Sequence, residues 1–111
     1  MNIKEQYGTV IIELKGKLVG GTLAGRMNRT LDNLLEQGKK NVVVDLSGIT
    51  ILNSSGMGIL ISGYRKMRDN GGLLKLANIT NKIEGLLSIT KLNQIFEIYS
   101  SADEAAESFN N

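Results

Sequence analysis

The sequence predicts an α/β fold in which short strands alternate with helices. Three observations carry that prediction. Apolar, strand-like runs at 9–14, 41–46 and 73–77 are separated by segments with helical periodicity. Glycines stand at the seams, at Gly16, Gly20, Gly21, Gly38, Gly71 and Gly72. Val42, Val43 and Val44 form an unbroken apolar run, the pattern of a strand covered on both faces. The order reads β-β-α-β-α-β-α-β-α, which argues for α/β layers and right-handed crossovers.

The elements follow in chain order. A weak strand at 3–6 and a stronger one at 9–14 flank Tyr7 and Gly8, which suit a hairpin turn. Thr22 can cap a helix over 22–36 that places Leu23, Met27, Leu31, Leu34 and Leu35 on one face and ends at Gly38. The strand at 41–46 ends in Asp45 and Leu46, and a short loop follows. A helix over 55–70 comes next, then the strand at 73–77. Asn81 and Glu84 have the spacing of a capping box for a helix over 81–90. A short strand at 96–99 follows, and Ser101 with Glu104 opens a last helix that buries Ala105 and Phe109.

Composition narrows the function. The 111 residues make one domain, 1–111, with a modest core of Leu, Ile and Val. His and Cys are both absent, so no Ser-His or Cys-His nucleophile pair and no imidazole or thiolate metal site can be built. Net charge is only +2 and the cations are dispersed, which argues against direct nucleic-acid binding. No apolar run is long enough for membrane insertion, no secretory signal is visible, and cysteine-free composition fits a cytoplasmic protein. A dinucleotide fingerprint is not supported: after Gly56 and Gly58 the third glycine falls at Gly63 rather than at position 61. No cofactor is expected.

The helix at 55–70 stands apart because it contains Gly56, Gly58 and Gly63. An interior helical glycine costs about 0.5–1 kcal/mol relative to alanine, so close approach to the sheet or to a partner should offset it. At about 100° per residue, Met57, Leu60, Ile61, Tyr64 and Met67 share the core side. Ser55, Gly58, Ile59, Ser62 and Lys66 share the opposite side, with Ile59 expected to project into water. This outer face reads either as a docking face for another protein or as ordinary surface with one exposed apolar residue. At its head, Asn53, Ser54, Ser55 and Gly56 open the helix. Ser54 is either a plain N-cap or, if Asn53 caps instead, a first-turn serine with a free hydroxyl where a phosphate can come and go.

With these residues in place the chain resembles the STAS domain family, and among its members the anti-sigma-factor antagonists. The strand VVVDLSG at 42–48 and NSSGMG at 53–58 resemble the family's signature; GGLLKL at 71–76 and LLSITKL at 86–92 ahead of Ile95 and Phe96 extend the resemblance over nearly the whole chain. It implies a small mixed sheet with helices mainly on one face. It implies a non-enzymatic regulator that binds an anti-sigma factor/serine protein kinase, is phosphorylated at Ser54, and is reset by a PP2C-type serine phosphatase, with ATP and magnesium held by the kinase. The partner-binding surface would comprise Asn53, Ser55, Gly56, Gly58, Ile59, Ser62 and Lys66. Two positions depart from the family pattern: Asn53 and Val19 stand where acids are usual. That departure leaves open an alternative, a non-phosphorylated STAS subunit of another complex such as a lipid-transport ABC system.

Overall fold

Tyr7 and Gly8 take φ of 57° and 77°, the positive values that a tight two-residue hairpin requires. The turn pairs β1 (Asn2–Gln6) antiparallel with β2 (Thr9–Leu18). The chain then runs through α1 (Thr22–Glu36), β3 (Asn41–Leu52), α2 (Ser54–Asp69), β4 (Leu73–Ala77), α3 (Asn81–Ile89), a 3₁₀ turn at Leu92–Gln94, β5 (Ile98–Tyr99) and α4 (Ala102–Ser108). This computed structural model describes residues 1–110. Apart from the 3₁₀ turn, the element order is the predicted one.

Strands β2 to β5 are mutually parallel and the sheet order is β1-β2-β3-β4-β5. A sheet that grows always at one edge, through crossovers of one hand, places all its crossover helices on one face. That is the observed layering. Met27, Leu31 and Leu34 of α1, Met57, Leu60 and Met67 of α2, and Ile83 and Leu87 of α3 pack with the inward residues of β2, β3 and β4 in one core. Helix α4 follows the last strand and lies on the other face, where Ala105 and Ala106 meet Ile11, Val43 and Ala77.

Lys75 belongs to that second layer and is 4% exposed. Its ammonium donates to Ser108 Oγ at 2.7 Å, lies 3.3 Å from the Glu97 carboxylate and sits 4.1 Å from the Phe109 ring centre. A buried cation is tolerated when it is paired and hydrogen-bonded, and here its partners hold α4 to the sheet.

Several boundaries differ from the expected ones. β2 continues to Leu18 and β3 to Leu52, so the expected loop after Leu46 is strand. Register shifts between Glu13 and Lys15 and between Gly16 and Lys17 keep the pair joined through the positive φ of Gly16. Gly21, not Thr22, is the N-cap of α1 and supplies no side-chain bond. Thr80 rather than Asn81 caps α3, accepting from the Ile83 amide at 3.3 Å. Ser101 caps α4 as expected, accepting from the Glu104 amide at 3.1 Å. β5 is confined to two residues, because Phe96 turns into the core and meets Tyr64 edge-on at 5.3 Å.

Candidate functional site

The far ends of β2 and β3 carry α2 to the rim of the sheet. Leu18 pairs with Leu52, and the amide of Asn53 donates to the Leu18 carbonyl at 3.4 Å. Asn53 is extended, and its Oδ1 accepts from the Gly56 amide at 2.9 Å. Asn53 is therefore the N-cap, and α2 begins at Ser54 rather than Ser55. This settles what Ser54 does locally. It occupies the first helical position, it is exposed, and its hydroxyl makes no hydrogen bond among the described residues.

The loop between β2 and α1 abuts this first turn. A β-carbon on Gly20 would lie 3.1 Å from Ser55 Cβ, and Gly20 takes a φ of 101°. Adjacent glycines at 20 and 21 are the sequence signal of this close approach. The N-termini of α1 and α2 thus face the same rim. A phosphoryl group on Ser54 Oγ would stand at the positive end of α2, a placement worth about 0.3–1 kcal/mol at an exposed site.

The expected partner-binding residues divide. Asn53, Ser55, Gly58 and Ser62 are exposed, with Ser54 among them. Gly56 is buried: a side chain there would strike the Leu18 carbonyl. Lys66 is partly buried and ion-paired with Asp32 of α1. Ile59 corrects the prediction outright. It is 6% exposed and belongs to the main core, because α1 packs along the flank of α2 that the helical wheel turns away from the sheet. A shallow groove of about 390 Å³ runs along this seam, lined by Ala24, Asn28, Ser55, Gly58, Ile59 and Ser62 among others.

The glycines of α2 divide in the same way. A β-carbon on Gly63 would lie 3.2 Å from Leu31 Cδ1 and 3.3 Å from Leu74 Cδ1, so packing accounts for it. Gly58 meets nothing within 4 Å. Its small size serves no internal contact and leaves the rim of the groove bare. Sequence reasoning overlooked Thr50 and Ile51, which fall in the expected loop; they are exposed strand residues just ahead of the α2 cap, and Ile51 is 42% exposed. Among the described residues no three acidic side chains converge closely enough to hold a metal ion.

The fold has counterparts among known proteins. The anti-sigma-B factor antagonist of Bacillus subtilis is 23% identical over 103 residues, 93% of this chain and 93% of its own length. The crystal structure of a Thermotoga maritima protein, provisionally described as an anti-sigma factor antagonist, shares the fold with a TM-score of 0.88 at 24% identity, covering 99% of this chain and 94% of that one. The anti-sigma factor antagonist SpoIIAA in its unphosphorylated form does so with a TM-score of 0.73 at 18% identity, covering 99% and 97%. The family model of the STAS domain matches residues 1–105, from the first strand into the last helix, and the chain belongs to that family.

Proposed function

We propose that this chain is an anti-sigma-factor antagonist that works by partner switching. It is a binding protein rather than an enzyme. Its partner is an anti-sigma factor that also acts as a serine kinase on Ser54, and a PP2C-type phosphatase restores the free hydroxyl. The observation that supports this most directly is the division of labour between Asn53 and Ser54. Asn53 satisfies the helix end, which leaves Ser54 exposed, unengaged and at a terminus that tolerates negative charge. Modification there changes the surface without removing any bond that holds the fold. The names of the B. subtilis relative and of SpoIIAA, the latter described in an unphosphorylated form, point the same way.

The test uses the purified chain, its cognate kinase and ATP with magnesium. Intact-mass analysis is expected to show one added phosphoryl group on the native chain and none on Ser54→Ala. Ser54→Ala keeps kinase binding, whereas Ser54→Asp weakens it. A kinase that is active on another substrate but leaves Ser54 unmodified would overturn the reading. Uncharged Asn53 and Val19 favour a second one, a constitutive subunit of a larger complex such as a lipid-transport assembly. Under that reading Ser54→Asp has no effect on assembly.

A further inference from the structure

The segments 14–31 and 46–68 build the Ser54 rim, the loop that abuts it, and α2; neither contains an Asp or a Glu. They do contain cations. Lys66 and Arg68 are paired with Asp32 and Asp69. Lys15, Lys17, Arg26, Arg29 and Arg65 are exposed and form no ion pair among the described residues. The sheet sets Lys17 near the candidate site and Lys15 further back along the same strand. Lys15 pairs with Gly48 and Lys17 with Ile51. From Ile51 to Ser54 the chain advances about 10 Å at most and from Gly48 about 20 Å, and the spacing between paired strands adds about 5 Å.

The end of the sheet ahead of Ser54 therefore combines exposed Ile51 with two unpaired ammonium groups. The N-termini of α1 and α2 add partial charge of the same sign. An apolar spot bordered by charge of one sign matches a protein surface with the opposite border. A nucleic acid or an anionic bilayer would call for a broader basic face than a chain of net charge +2 offers.

We infer that the partner docks an acidic segment bearing apolar side chains on Lys15, Lys17 and Ile51, beside Ser54. This deepens the partner-switching reading and rests on it, and it names the chemistry of the partner. It also gives the switch its sign. A phosphoserine carries about −1.5 to −2 charges at neutral pH, opposite in sign to the Lys17 ammonium that stands nearer to it. Phosphorylation then weakens the attraction that brings the acidic segment in.

The test needs no kinase, so its failure is distinct from failure of the phosphorylation reading. The ¹⁵N-labelled chain is titrated with two synthetic peptides that share one leucine spacing, one with glutamate and one with lysine at the polar positions. The glutamate peptide is expected to shift the amides of Lys15, Lys17, Ile51 and Ser54, with affinity falling as salt is raised. The double variant Lys15→Glu, Lys17→Glu is expected to lose at least about tenfold in affinity while keeping the native amide pattern elsewhere. Equal binding of the lysine peptide, absence of shifts, or shifts confined to another face would overturn the inference. Stronger perturbation of the same amides by phosphatidylglycerol vesicles or by duplex DNA would overturn the assignment to a protein.

Discussion

Gly56 lies so close to the carbonyl oxygen of Leu18 that any β-carbon at position 56 would collide with it. The obstacle is backbone, and the same carbonyl accepts from the Asn53 amide. Neither side can yield without moving the start of α2. Gly56→Ala is expected to destabilise the fold by about 2–3 kcal/mol, read as a lower urea midpoint at unchanged slope.

Gly58 should behave in the opposite sense. It is helical and exposed, and a methyl group placed there would meet no atom within 4 Å. Gly58→Ala is therefore expected to stabilise by about 0.5–1 kcal/mol, read as a higher urea midpoint. If partner binding falls in the same variant, the glycine is kept for the surface it leaves flat.

Ile59 distinguishes a core role from a docking role. Its burial between α1 and the rest of α2 predicts a loss of about 2–4 kcal/mol for Ile59→Ala, measured by equilibrium denaturation. Ile59→Asp would place an unpaired charge in that seam and is expected to abolish cooperative unfolding. A stable Ile59→Asp protein would contradict the packing described above.

The Asn53 cap and the Ser54 hydroxyl are separable by stability alone. Asn53→Ala removes the bond to the Gly56 amide and should cost about 1 kcal/mol. Ser54→Ala removes no bond in the fold and should stay within about 0.5 kcal/mol of the native chain.

Acid stability should report on Glu97. A hydrogen bond from Tyr99 holds its carboxyl below the ordinary value of 4.5, against the opposing effect of burial and with further help from Lys75. A depressed native pKa contributes stability that is present above the unfolded pKa and is lost as pH falls through the native one. Stability should therefore fall below about pH 4.5. In Glu97→Gln the acid limb of the stability profile should be shallower, which urea midpoints at a series of pH values would show.

Local pattern was enough for the element order, because each helix and strand here has its own period and its own stop signal. Partners across space were another matter. The wheel for α2 turns Ile59 toward water since it registers one buried side, whereas α2 has two neighbours, the sheet and α1. Met27 and Leu31 held the missing signal: their side of α1 needed a second helix to cover it. The extension of β2 and β3 was hidden for a related reason. Lys15, Lys17, Ser47 and Thr50 carry no apolar run, and pairing between the two strands is what keeps them extended. At α3, Thr80 and Asn81 are both competent caps, and it is Thr80 that is extended and accepts from the Ile83 amide. The serine was legible as either the cap or a first-turn residue, and the cap at Asn53 places it in the first turn.

The sheet order copies the chain order. Each new strand can therefore dock on an edge that is already complete as it leaves the ribosome, with no earlier strand having to wait for a later one to be inserted beside it. Synthesis from the amino terminus and assembly of the domain proceed in the same direction, and the nascent chain exposes a single growing edge at any moment.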